Sequence, residues 1–210
     1  RFVPLLYFVV AFLAIFLSIN AEKITLLIGG KSFVPAQSTV AIMAMYPIHQ
    51  TYGQLTGSVY YATNQTKLYR NIGIIMMLLG LPFTWLILAP QELFGLDLKA
   101  TGMAALGVIS QFIGVNVLLW FATKFLQISF MKIFFHQIYT VILLCIISYT
   151  ANWLGNIINE QIISFLVNGF LYAILSIMLI FFFPQLVSRT RIEIIGFTRN
   201  LRRKIFEVGN

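Results

Sequence analysis

Four polar side chains interrupt an apolar stretch in the first third of the chain: His49, Gln50, Gln54 and Ser58. Gln50, Gln54 and Ser58 are four residues apart, so in a helix they share one face. Amide, imidazole and hydroxyl groups donate and accept hydrogen bonds, which suits them to a sugar in a water-filled cavity. They suit hydrogen bonds to a neighbouring helix equally well, with Gly53 and Gly57 allowing close packing. Both interpretations remain open.

A second group of polar and small residues lies in a later apolar stretch. Gly107, Gln111 and Gly114 share one helical face, whereas Asn116 points elsewhere. The same two interpretations apply to this group. The candidates for lining a substrate cavity are therefore six residues: His49, Gln50, Gln54, Ser58, Gln111 and Asn116.

Residues for catalysis or metal binding do not occur in a recognisable pattern. His49 and His136 fall in different apolar stretches, without a carboxylate at ligand spacing, which argues against a metal site. No Ser/His/Asp or Cys/His arrangement has a spacing typical of nucleophilic catalysis. We therefore expect no catalytic residue, no metal, no cofactor and no enzymatic activity.

The apolar stretches themselves indicate the fold class. Hydrophobic residues make up 60% of the chain and charged residues only 10%, whereas soluble domains are about a quarter charged. The stretches that approach or exceed the ~20 residues needed to cross a hydrocarbon core are 2–20, 36–62, 71–90, 102–123, 133–153 and 163–183. We predict an all-α integral membrane protein, a bundle of about six transmembrane helices over residues 1–187. Pro47 and Pro82 should kink their helices.

Lysine and arginine are distributed unevenly between the two sides of this bundle. All but three of the 14, namely Lys23, Lys31 and Lys99, fall on one side. By the positive-inside rule that side is cytoplasmic, and both ends of the chain lie on it. The net charge of +8 then reflects topology and contact with membrane lipids, not binding to nucleic acid. Residues 188–210 form a basic cytoplasmic tail.

Four basic residues lie near the cytoplasmic ends of the predicted helices: Lys67, Arg70, Lys124 and Lys132. Their positive charges could bind a phosphate group or a lipid headgroup arriving from the cytoplasm. They could equally serve only as topological anchors. We take them as candidates for phosphate or headgroup contacts.

Three segments, in order and spacing, carry a family resemblance. Residues 46–74 read YPIHQTYGQLTGSVYYATNQTKLYRNIGI. With the Ile-Gly-Gly of residues 28–30 and the ATGMA of residues 100–104, this run resembles the bacterial polysaccharide (O-antigen-type) flippases of the multidrug/oligosaccharidyl-lipid/polysaccharide exporter superfamily. Lys99 departs from the pattern, because that family often has glycine there. We expect a less tight turn at Lys99.

The resemblance implies a fold and an activity. It implies one lobe of a two-lobe transporter, the C-terminal portion of a longer chain whose N-terminal lobe is missing. Arg1 in place of Met, directly before an apolar stretch, also suggests a fragment. The implied activity is the movement of a lipid-linked oligosaccharide across the bacterial inner membrane for surface polysaccharide biosynthesis, including lipopolysaccharide. Pyrophosphate-binding residues could lie in the missing lobe.

Three other functions remain open. A cation-coupled multidrug exporter of the same superfamily would share the architecture but would need a membrane-embedded carboxylate, and none falls within the predicted helices. A polytopic transferase of polysaccharide synthesis would need an acid, a base or a nucleophile in a sizeable aqueous loop. A structural membrane subunit would bury the Gln50, Gln54 and Ser58 face against protein.

Overall fold

The computed structural model describes residues 2–158 and 160–187, and every regular element within them is helical. The helices are α1 (Phe2–Ile19), α2 (Ala21–Gly29), α3 (Gln37–Ala44), α4 (Tyr46–Ala62), α5 (Thr66–Leu88), α6 (Lys99–Leu126), α7 (Phe130–Gly155) and α8 (Gln161–Phe182). Short 3-10 turns lie at Lys31–Ala36, Gln91–Leu93 and Pro184–Val187. The predicted basic tail, residues 188–210, lies outside the described residues.

Five helices in the described part of the chain are long and apolar enough to cross a membrane: α1, α5, α6, α7 and α8. The prediction of an all-α protein with long apolar helices is confirmed. The predicted count of six is not, because the stretch at 36–62 does not form one helix of membrane-crossing length. Large apolar side chains on their outer faces are exposed, such as Met77 on α5 and Phe170 on α8. Exposed apolar side chains on helices of this length are typical of surfaces that face lipid.

The predicted helix at 36–62 is divided into α3 and α4 at Met45. Pro47 accounts for the break, because proline lacks an amide hydrogen and its ring collides with the carbonyl group of residue 43 in a continuous helix. At the break the backbone hydrogen bonds span three residues instead of four. Met45 N donates to Ile42 O at 3.0 Å, and Ile48 N donates to Met45 O at 3.2 Å. Pro82 differs, since α5 continues past it to Leu88.

Helix α1 lies at the centre of the bundle. Its side chains Tyr7, Ala11 and Ile15 are completely buried, and α1 packs against α3, α4 and α7. On one side of α1, α6 packs against α3, α4 and α5. On the other side, α7 and α8 form a hairpin. The core therefore runs along α1, and the two groups of helices share it.

The connection between α5 and α6 folds back tightly on α5. Leu96 N donates to Leu86 O at 2.8 Å, and Leu98 N donates to Ile87 O at 2.9 Å. Lys99, where a less tight turn was expected, instead has φ of 52°. This is the left-handed region, which favours glycine. The prediction was wrong in this detail, because hydrogen bonds on the N-terminal side of Lys99 hold the chain in the glycine-type conformation.

We expect the substitution Lys99→Gly to stabilise the protein by about 1 kcal/mol, because it removes the Cβ that makes a left-handed residue unfavourable. Lys99→Ala is the control, since alanine keeps the Cβ and should leave the free energy of unfolding nearly unchanged. Unfolding in a detergent titration measures both variants. A Lys99→Gly variant no more stable than Lys99→Ala would contradict the interpretation.

Candidate functional site

A polar groove lies between α4 and α5, and α6 forms its floor. Helix α5 packs along α6 and only lightly against α4, so α4 and α5 diverge above α6. The groove has a volume of about 550 Å³. Its lining includes Tyr46, Gln50, Gln54, Tyr69, Gly73, Gly107, Ser110, Gln111 and Gly114. Three of the six predicted cavity residues, Gln50, Gln54 and Gln111, are thereby brought to one site.

Hydrogen bonds between side chains connect α4 and α6 in this groove. Gln111 Nε2 donates to Gln50 Oε1 at 2.7 Å, and Tyr46 OH donates to Gln111 Oε1 at 3.4 Å. Gln54 lies one turn further along α4 and is exposed. The sequence left open whether these amides bond to a neighbouring helix or line a cavity. Gln50 and Gln111 do both: they join α4 to α6 and line the groove.

The glycines of this region have two roles: one allows close helix packing, and the others leave space in the groove. A Cβ at Gly53 would lie 3.1 Å from Val115 Cγ2, so Gly53 allows α4 to approach α6 closely. A Cβ at Gly107 or Gly73 would meet no atom within 4 Å, and at Gly114 it would meet only Met76 Cε at 3.7 Å. These three glycines keep the groove wide, whereas Gly53 brings its floor and wall together.

Ser58 does not lie in the polar groove, although it was predicted to share a face with Gln50. A helix turns about 100° per residue, so eight residues carry Ser58 about 80° around α4 from Gln50. Ser58 lines a separate groove of about 520 Å³ between α1, α4, α6 and α7, together with Leu55, Val59 and Leu119. The Ser58 hydroxyl donates within its own helix to Gln54 O at 3.3 Å.

His49 and Asn116 point into the bundle, not into the polar groove. The ring of His49 lies 4.7 Å from that of Phe112 and 6.3 Å from that of Tyr7, measured between centroids. Asn116 is 7% exposed and accepts a hydrogen bond from Gln137 Nε2 at 3.2 Å. The two residues therefore belong to a buried polar cluster of α1, α4, α6 and α7.

The four basic candidates lie at one end of the bundle, on helices that extend beyond the predicted apolar stretches. Lys67 and Arg70 are in the first turns of α5, Lys124 is in the last turn of α6, and Lys132 is in the first turn of α7. All four are exposed. Lys124 Nζ lies 3.7 Å above the ring of Trp120, which places its charge on the outer surface of α6.

Three hydroxyl-bearing residues of the groove were not among the candidates from the sequence: Tyr46, Tyr69 and Ser110. Ser110 is next to Gln111, and Tyr46 lies about one helical turn before Gln50. A search for every polar residue on or beside these helical faces would have found both. Tyr69 faces the groove from α5, in which no polar stripe was recognised. Only the pairing of α5 with α6 shows that Tyr69 belongs here.

Comparisons with protein-family models, with curated proteins and with solved structures found no match to this chain. Across residues 2–158 and 160–187, no three His, Cys, Asp or Glu side chains come together in a way that could hold a metal ion. The candidate site therefore stands on its own geometry.

Thiol accessibility separates the polar groove from the buried cluster. In a Cys145→Ala background, which removes the native thiol, we expect Gln54→Cys to react quickly with a water-soluble maleimide. Asn116→Cys is the matched control and should react at least about tenfold more slowly, because its side chain is buried between helices. Mass spectrometry of the labelled protein measures both rates. Equal protection of the two thiols would show that the groove is packed against something else.

Proposed function

We propose that this chain forms one lobe of a membrane transporter that moves lipid-linked oligosaccharide across the bacterial inner membrane. The observation that carries the proposal is the polar groove of α4, α5 and α6, in a protein with five helices long and apolar enough to cross a membrane among its described residues. The groove faces the carbohydrate in this proposal. The other lobe of the transporter would complete the cavity around it.

The chemistry of the groove favours a neutral, hydroxyl-rich substrate. Gln50, Gln54 and Gln111 present amides, and Ser110 presents a hydroxyl. These groups both donate and accept hydrogen bonds, as sugar hydroxyls do. The volume of about 550 Å³ falls within the range of about 300–1,000 Å³ that is typical of small-molecule sites. No charged side chain is among the described residues of the lining.

The apolar groove that contains Ser58 supports a substrate with a lipid portion. It lies on the neighbouring face of α4 and α6, and aliphatic side chains such as Leu55, Val59 and Leu126 line it. A hydrocarbon chain placed there would contact aliphatic side chains that are as apolar as lipid tails, so the groove could hold it inside a membrane without loss of hydrophobic free energy. The two grooves thus offer a polar and an apolar surface on neighbouring faces of α4 and α6.

The basic end of the bundle supports capture of a phosphate group. Lys67, Arg70, Lys124 and Lys132 are exposed at the end where α5 and α7 begin, and this end faces the cytoplasm in the proposal. Arginine and lysine bind phosphate oxygens through charge-assisted hydrogen bonds. A cation-coupled exporter is the competing proposal, and it would require an embedded carboxylate that the described lining of the polar groove does not contain.

Filling the polar groove tests the proposal. Gly107→Phe and Gly73→Phe add a large side chain where a Cβ meets no atom within 4 Å, and both replace glycine by a better helix former. In the complete protein, expressed in a strain that lacks its own flippase, we expect each variant to lower surface glycan, because the added ring occupies space that the substrate needs; each 1.4 kcal/mol lost weakens substrate binding about tenfold. Immunoblotting measures the amount of inserted protein.

Gly80→Phe is the matched control, because Gly80 is also on α5 with no atom within 4 Å of an added Cβ and does not line the groove. It should restore surface glycan as well as the unchanged protein does. Normal transport by both groove variants would contradict the role of the groove. Failure of the unchanged protein with several glycan types, despite normal insertion, would contradict the function itself.

A further inference from the structure

A second polar site lies at the opposite end of α1 from Tyr7, where α7 ends and α8 begins. Lys23 of α2 extends its side chain between these two helices. Its ammonium group donates to Asn156 Oδ1 at 2.6 Å and to Ser164 Oγ at 2.9 Å. The first acceptor belongs to the end of α7, and the second belongs to the first turn of α8.

Asn168 supplies the third short acceptor. In the orientation of its amide that satisfies both polar atoms, Oδ1 accepts from Lys23 Nζ at 2.7 Å, and Nδ2 donates to Ala151 O at 3.1 Å. This orientation also brings Asn168 Oδ1 to 2.8 Å from the Asn152 side-chain oxygen position, so the Asn152 amide turns as well and donates from its nitrogen to Asn168. The three protons of the ammonium group therefore have three close oxygen partners. We call Lys23, Asn156, Ser164 and Asn168 the Lys23 site.

Packing between α7 and α8 fixes the positions of these oxygens without a contribution from Lys23. Ser164 Oγ donates to Gly155 O at 3.0 Å, which ties the start of α8 to the end of α7. A Cβ at Gly155 would overlap the Asn168 amide, so only glycine allows this approach. Ser164 is 2% exposed and Asn168 is 1% exposed. The acceptors are thus held by the α7–α8 hairpin itself.

The composition of the site suits an ammonium group. All three close acceptors are neutral oxygens of Asn and Ser, which suit a cation with several N–H donors. Removal from water opposes the charge: burial lowers the pKa of Lys23, while the neighbouring Glu22 carboxylate acts in the opposite direction. The tether through α2 offsets this cost, because it holds the ammonium group at a high local concentration.

We propose that the Lys23 site is a binding site for a primary ammonium group, occupied here by the chain's own lysine, which fastens α2 to the α7–α8 hairpin. The proposal goes beyond the transport function and does not depend on it. Emptying the site should loosen this end of the bundle, and a free primary alkylammonium ion should then be able to refill it.

Thermal unfolding of the complete purified protein in detergent tests the site. We expect Lys23→Ala to lower the unfolding midpoint by roughly 5 °C, because buried amide oxygens lose their donor. Propylammonium chloride replaces the atoms removed from the side chain. At about 0.1 M, chosen high because the tether is lost, it should recover at least half of the loss. Tetramethylammonium chloride has no N–H donor and should recover none.

Two controls accompany this measurement. Lys31→Ala removes an exposed lysine from the adjacent 3-10 turn and should leave the midpoint unchanged, and propylammonium should not stabilise the unchanged protein. An unchanged midpoint in Lys23→Ala would overturn the proposal. A loss that neither salt recovers, or that both recover equally, would also overturn recognition of the ammonium group.

A second variant tests the charge without emptying the site. Asn156 is exposed, so Asn156→Asp should fold normally and place a carboxylate beside Lys23 Nζ. We expect it to raise the unfolding midpoint when Lys23 is present and to lower or leave unchanged the midpoint of Lys23→Met. The same response in both backgrounds would show that Lys23 does not present an ammonium group to Asn156.

Discussion

A polar group among apolar helices must find a hydrogen-bond partner within the protein or reach water, and the architecture of this chain follows from how each group does so. Hydroxyl groups along the helices mostly donate a hydrogen bond to a carbonyl group of their own helix, as Thr56 does to Tyr52 O and Thr84 to Gly80 O. An amide side chain has two N–H donors and an acceptor oxygen, which one backbone carbonyl group cannot satisfy. They occur where helices meet, and the structure groups them into the polar groove, the buried cluster around Gln137, and the Lys23 site.

These three groups differ in how completely their members are satisfied. In the Lys23 site each proton of the ammonium group has an acceptor, which suits a structural fastening. In the buried cluster, His49 Nδ1 and Gln137 Oε1 have no hydrogen-bond partner among the described residues. In the polar groove, Gln50 and Gln111 bond to each other while Gln54 is exposed. Only the groove combines an open volume with amides that can still bind another molecule.

Hydropathy was sufficient to predict the long helices, because ~20 apolar residues have few other stable arrangements. The chemistry of proline located a disturbance at Pro47, although it did not show that the helix ends at Ala44 and begins again at Tyr46. The helical repeat placed Gln50 and Gln54 together but was applied over too great a length to include Ser58. The Lys23 site could not be foreseen, since Lys23 is separated from Asn156 by 133 positions and from Ser164 by 141.

The unequal attachment of α5 has a consequence for the size of what the groove can hold. Only Ile72 of α5 is buried, and the helix is fixed to the bundle along the one side that touches α6. Rolling α5 on α6 would change the spacing between Tyr69 and Gln54 and would move Tyr69 against the buried ring of Tyr60, whose centroid lies 5.4 Å away. Tyr7 and Ile15, on α1, lie away from this contact. The aperture of the groove therefore depends on the contacts that α5 makes with α6 and, through Tyr69, with α4.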